Sequence, residues 1–269
     1  MPTVRSQGVD ITYEVHGEGP TVLVMVGWGT YAHGAFDQVP WAVAEGRRVV
    51  LLDWRGIADS ADDSAIPATT RAHAVDAAAV LEAVGGEPAH VVGIVGIGAC
   101  VAQWLAIDRP DLVRSLSLSG GWLSPDRLFI DQMHSLLDVH RRMGFAAFQR
   151  LCSQWCFEPS YYAAHADRFL GPHGPWSHLA DNLEAMDRLI EATITHDASA
   201  GVATITAPTF VVHADHDLLT GPRLTRPLQA AIPHATGVHL PLPHVVAGRE
   251  AKKSFSDALG AFLDSVEND

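Results

Sequence analysis

The feature that most constrains this chain is an alternation of two residue patterns. Short runs of β-branched and leucine residues occur at Thr21 to Val26, Arg48 to Asp53, His90 to Gly93, Val113 to Ser119 and Thr209 to His213. Helical stretches stand between or after them at Ala68 to Val84, Ala99 to Asp108, Arg223 to Ala231 and Arg249 to Val266. Near-continuous apolar runs of this length are strands covered on both faces, and helices between them act as crossovers that make the strands parallel. Val9 to Val15 alternates instead, as an exposed antiparallel strand does, and Gly17-Glu18-Gly19-Pro20 turns the chain into the first buried run. The expected fold class is α/β, a mostly parallel, doubly wound sheet. From about Leu123 to Ala200 strand patterning gives way to helical patterning rich in aromatics, among them Phe148, Trp155, Phe157, Tyr161 and Trp176. This predicts a helical cap over 123–200, inserted into a core made of 1–122 and 201–269.

Composition narrows what such a fold can serve. Apolar residues are 48% and charged residues 18% of the 269, against about 25% charge in an average soluble chain, which excludes disorder. Eighteen basic residues against 31 acidic ones give a net charge of −13, and no basic block exceeds Arg141-Arg142 or Lys252-Lys253. Nucleic acid and anionic membrane are therefore poor partners, and a small-molecule substrate is the expected one. Three cysteines, Cys100, Cys152 and Cys156, are too few and odd in number for a disulfide scaffold. A cytoplasmic protein is expected, with no leader segment and no membrane span, since no apolar run approaches the ~20 residues a bilayer requires.

In open α/β sheets, ligands sit beyond the carboxyl ends of the strands. The segments there are Gly27-Trp28-Gly29-Thr30, Asp53-Trp54-Arg55-Gly56, Gly93-Ile94-Val95-Gly96-Ile97-Gly98-Ala99, His213-Ala214-Asp215-His216-Asp217 and Pro241-Leu242-Pro243-His244. In this order and spacing, with an inserted cap, they resemble the α/β-hydrolase fold family over essentially the whole chain. The resemblance implies an oxyanion loop at Gly27, a nucleophile elbow near Val95, an acid at Asp217 and a late histidine at His244. The elbow departs from the family pattern. Register from His90-Val91-Val92-Gly93 puts Val95 at the nucleophile position, and register from Ala102-Gln103, Leu105 and Pro110 puts Gly96 there, the latter fitting the small residues Gly98 and Ala99 better. Neither side chain can attack a substrate. Cys100, a turn into the next helix, is expected to pack as a buried apolar group, and Ser117 and Ser119 to act as strand-end hydrogen bonders.

What remains is an acid–base pair. A carboxylate that accepts the Nδ1 proton of a histidine fixes the ring and leaves Nε2 free to take a proton. Asp217 is preferred over Asp215 for its spacing from Ala214, and His216 between two carboxylates reads as a solvated loop residue. Backbone N–H groups of Trp28 and of Gly96 or Ile97 are the expected oxyanion donors. Trp28, Thr30, Val95, Ser119 and Trp122 are the expected substrate contacts, and the cap aromatics suggest a flat or apolar ligand. His33 is a further loop candidate, and Arg55 reads as a structural turn contact. No metal is expected, because His213 and His216, three apart in a strand-to-loop turn, lack a convincing ligand spacing and Cys152 with Cys156 lies on a cap helix without nearby partners, and no cofactor is implied.

The leading expectation is base-catalysed chemistry without a covalent intermediate. Gly27-Trp28 and Asp53-Trp54-Arg55-Gly56 are similar to segments of the cofactor-independent 2,4-dioxygenases of 3-hydroxy-4-oxoquinolines, which favours a dioxygenase- or lyase-like reaction. Those enzymes keep an elbow serine that this chain lacks. Two alternatives stand beside it: hydrolysis of an activated ester, lactone or thioester by histidine-activated water, and a non-catalytic binding protein resembling the N-myc downstream-regulated proteins, whose elbow is also glycine-rich.

Overall fold

The computed structural model describes residues 1–28, 36, 39–244 and 249–268. Eight strands form one sheet in the order β1-β2-β4-β3-β5-β6-β7-β8: β1 Thr3–Ser6, β2 Val9–His16, β3 Thr21–Met25, β4 Arg48–Leu52, β5 Ala89–Ile94, β6 Val113–Ser119, β7 Thr209–Ala214 and β8 Thr236–Leu240. From β4 to β8 all neighbours are parallel; β2 pairs antiparallel with both β1 and β4. The helices are α1 Trp41–Ala44, α2 Thr70–Ala83, α3 Ile97–Asp108, α4 Arg127–Met143, α5 Phe145–Cys156, α6 Pro159–Phe169, α7 Leu183–Ile194, α8 Pro222–Ala231 and α9 Arg249–Asn268.

The sheet is buried on both faces, as its composition requires. Leu23 and Met25 of β3 join the cluster formed with α2 and α3, whereas Val22 and Val24 point the other way to Val43 of α1 and Phe255, Leu259 and Leu263 of α9. Every residue of β3 and β5 is buried. Two strands lack the buried apolar run that marks β3 to β7. β1 is four residues long and is joined to β2 by Gln7 and Gly8, both at positive φ (47° and 89°), a two-residue hairpin turn. β8 is a half-exposed edge strand whose Thr-Gly-Val-His-Leu composition has no buried run to announce it. Four helices, α4 to α7, fill the interval between β6 and β7. Among the described residues no helix is long and apolar enough to cross a membrane.

Candidate active site

The turn from β5 into α3 sets the centre of the site. Gly96 caps α3 at φ 66°, ψ −124°, and the helix begins at Ile97. A Cβ built on Gly98 would meet the Met25 carbonyl oxygen at 2.4 Å, and one on Gly93 would meet the Ala99 Cα at 2.5 Å, so α3 lies directly against β3 and β5. That close packing is why small residues follow the turn. At Gly96 itself a Cβ would find nothing within 4 Å. Val95 also has positive φ, 60°, a conformation that strains a β-branched residue.

Gly96 is corrected as an oxyanion donor. Its N–H donates to the Gly120 carbonyl at 3.0 Å, and Val95 N–H donates to Ser119 O at 3.0 Å. The Ile97 N–H, first in α3, has no intrahelical acceptor and sits where the helix dipole favours negative charge.

Opposite the turn, His244 Nδ1 lies 2.6 Å from Asp217 Oδ2, with both side chains buried. Asp217 follows β7 in a tight turn: its Oδ1 accepts from Leu219 N and Thr220 N at 2.8 Å each, and Oδ2 accepts from Thr220 Oγ1 at 3.0 Å. Burial alone would raise the carboxyl's pKa, but His244 and these donors together hold it below its ordinary value. Burial likewise pushes His244 down, and the Asp217 carboxylate, with a smaller contribution from Cys156, overrides it and lifts the imidazole to about 9. Cys156, hydrogen-bonded to Cys152 and buried, has its thiol pushed well above the ordinary range. It is neutral at pH 7, so the carboxylate carries the effect. Asp215 is exposed and pairs with His239 instead, at 2.6 Å, and His216 is exposed.

Trp28 ends the described part of the loop after β3, and three contacts hold it. The buried Trp54 indole donates to Gly27 O at 2.9 Å, the carbonyl of the same peptide unit that carries the Trp28 N–H. His178, in a short turn between α6 and α7, lies with Nε2 2.8 Å from Trp28 O. Burial keeps this histidine's pKa low, so the ring is neutral and Nε2–H is the donor. Trp28 Nε1 donates to Thr193 Oγ1 of α7 at 3.3 Å.

These groups face a cavity of about 350 Å³, in the range of small-molecule sites. Gly27, Trp28, Val95, Gly96, Ile97, Trp122, Leu219, Thr220 and His244 line it from the core, and the helical insertion adds Phe129, Cys152, Cys156 and Trp176 among others. Trp28, Val95 and Trp122 are thus on the cavity wall. Ser119 is corrected: it is fully buried, its Oγ donates to Gly93 O at 3.3 Å, and it does not line the cavity. Thr30 and His33 lie outside the described residues. Cys100 is buried, its thiol pushed up by burial, and Ser117 is buried away from the cavity. Arg55 makes a buried ion pair with Asp76 of α2 at 2.5 Å, and His213 is engaged by Thr225 and Gln229, both at 2.6 Å.

The match to known proteins follows this geometry. The α/β hydrolase fold model covers residues 20–242. The chain belongs to the α/β-hydrolase fold family. A relative in Azorhizobium caulinodans, named as a carbamate hydrolase, RutD, is 29% identical over 239 residues, 87% of this chain and 88% of that one. The solved α/β-hydrolase enzyme MGS-M2, from a Medee basin deep-sea metagenome library, superposes with a TM-score of 0.85 at 19% identity, over 98% of this chain and 97% of its own. The enol-lactonase of Burkholderia xenovorans LB400 superposes with a TM-score of 0.81 at 20% identity, over 98% and 100%. The two solved structures speak to fold alone. This α/β hydrolase-fold protein is an enzyme, with a buried acid–base pair whose histidine lines the cavity.

Sequence reasoning missed the supports of the site. The Asp217-Leu218-Leu219-Thr220 turn was legible in principle, since an aspartate followed by free amides two and three residues on is a common local motif. His178 and Thr193 were not, because nothing in a helical pattern says which face meets a distant loop.

Proposed function

We propose that the protein hydrolyses an activated acyl bond in a small, largely apolar substrate, an ester, lactone, thioester or carbamate, by direct attack of water. The observation that carries this reading is the open space at Gly96, beside the Ile97 amide and on the same cavity as His244. The site offers a base and oxyanion donors but no side chain at the turn to form an acyl-enzyme. His244 Nε2 takes a proton from water, and the hydroxide adds to the acyl carbon. The carbonyl π electrons move to oxygen, which the N–H groups of Trp28 and Ile97 stabilise. Collapse expels the leaving group, which receives the proton from the imidazolium, and Asp217 stabilises that imidazolium throughout. The relative named as a carbamate hydrolase supports hydrolysis over oxygenolysis. The structure adds a second support: Trp54, which carried much of the dioxygenase resemblance, is buried behind Gly27 and does not line the cavity.

The test measures p-nitrophenyl ester and carbamate turnover alongside oxygen consumption with a 3-hydroxy-4-quinolone. Hydrolysis without oxygen uptake is expected, falling by roughly 10²–10⁴-fold in His244→Ala. Oxygen uptake that depends on His244, or ester turnover indifferent to it, would defeat the reading.

Trp54 has a consequence of its own. By accepting from the indole, Gly27 O fixes the peptide plane that aims the Trp28 N–H and polarises that donor. Trp54→Phe should lower kcat by about tenfold with little change in KM, a fraction of the loss that follows deletion of a whole oxyanion donor. Steady-state kinetics at matched thermal stability decide it; an unchanged kcat means the bond only supports packing.

A further inference from the structure

The cavity is not uniformly apolar along its depth. Part of its lining is buried and apolar, Trp122, Phe129, Met133, Leu219 and Trp176, on the same cavity as Gly96 and His244. Its outer wall runs along α6. Tyr161, His165 and Arg168 stand at i, i+4 and i+7 and so share one face of that helix. Phe157 and Tyr161 rings are 5.6 Å apart, and Tyr161 stacks on His165 at 4.3 Å, so an aromatic strip leads outward to the exposed Arg168. Lys252 of α9, also exposed, lines the same cavity. Neither cation meets a carboxylate among the described residues, and no aspartate or glutamate is among the cavity's described lining residues.

Two exposed cations on the wall of a largely apolar cavity that has no carboxylate among its described lining residues mark where a ligand brings the negative charge. We propose that this mouth binds a carboxylate, so that the substrate is an acyl compound with an apolar or aromatic body, its scissile carbonyl at the elbow and its carboxylate between Arg168 and Lys252. Arg168 is suited to grip two carboxylate oxygens with its planar fork, and Lys252 acts as a point charge. The scissile-end assignment rests on the hydrolytic reading above; the carboxylate site does not.

The experiment compares p-nitrophenyl hydrogen glutarate with p-nitrophenyl valerate, a chain of similar length without the charge. The wild type should prefer the glutarate, and the ratio of the two kcat/KM values should fall about tenfold in Arg168→Gln/Lys252→Gln, each exposed cation being good for up to about fivefold. The preference should also shrink as salt is raised. A wild-type preference for valerate, or a ratio unmoved by the double substitution, overturns the proposal. Calorimetric titration with 4-phenylbutyrate and with 4-phenylbutanamide separates the two readings. If neither ester turns over, hydrolysis fails, yet tighter binding of the acid that is lost in the double variant still supports the carboxylate site. Equal binding of acid and amide removes it.

Discussion

On the proposed direct attack by water, replacing Gly96 with serine is expected to give a variant that works through an acyl-enzyme. The backbone at this position, φ 66° and ψ −124°, sends a side chain into open space on the cavity side, with no atom within 4 Å of an added Cβ. A serine Oγ there would lie beside the Ile97 amide and share the cavity with His244, which is what a nucleophile, its base and its oxyanion donor require. Intact-mass measurement after brief exposure to p-nitrophenyl acetate should show an acetyl adduct on Gly96→Ser but not on the wild type. Pre-steady-state release of nitrophenolate should show a burst in the variant alone. Turnover of small activated esters should rise by roughly 10- to 100-fold, and both signals should vanish when His244→Ala is added. A non-glycine residue at this left-handed backbone position costs about 1–3 kcal/mol, so the variant should melt a few degrees lower. An adduct on the wild type would mean that another group, Cys156 foremost among the cavity's described lining residues, already attacks substrate. No adduct on a folded variant would mean that His244 does not reach the turn.

The legible part of this molecule and the hidden part differ for a physical reason. Buried parallel strands must be apolar on both faces, so β3 to β7 announce themselves in the sequence. An edge strand such as β8 and a four-residue strand such as β1 need only backbone pairing, which leaves no such mark. Of the site residues on the sheet rim, Asp217 follows a strand whose position was readable and His244 was placed by the resemblance to the family's late histidine; the structure brings them together at 2.6 Å. For the second oxyanion donor the sequence left Gly96 and Ile97 open. Which of two adjacent amides is free depends on the neighbouring β6 loop, where Gly120 O takes the Gly96 proton. Ser119 failed for a related reason: at a strand end, one step in register decides whether a hydroxyl faces the cavity or the sheet. Arg168 and Lys252 were invisible because helical patterning separates a buried face from an exposed one but does not identify a cavity wall.

Activity and stability should answer to His244 with opposite sign. The base must be neutral to accept a proton, and in the folded enzyme it loses its own near pH 9. kcat/KM should therefore climb roughly tenfold per pH unit below that point and level off above it. The ion pair with Asp217 stabilises the fold in the reverse sense. The folded pKa lies above the unfolded value of about 6.5, so the contribution is complete below pH 6.5 and is lost as the pH rises through 9. Asp217→Asn separates the two effects. With the carboxylate gone, burial becomes the governing influence on His244 and pushes its pKa below the ordinary value. The rising limb of the rate profile should then move from near pH 9 to below about 6.5, while the plateau drops by roughly 10³–10⁴-fold because the imidazole loses its orienting anion. Thermal melts of the wild type should fall between pH 6.5 and 9.5 by more than those of the variant, the excess being the ion pair. A limb that stays near 9 in Asp217→Asn would show that some other group sets the proton affinity of the base, and the assignment of Asp217 as its partner in catalysis would have to be withdrawn.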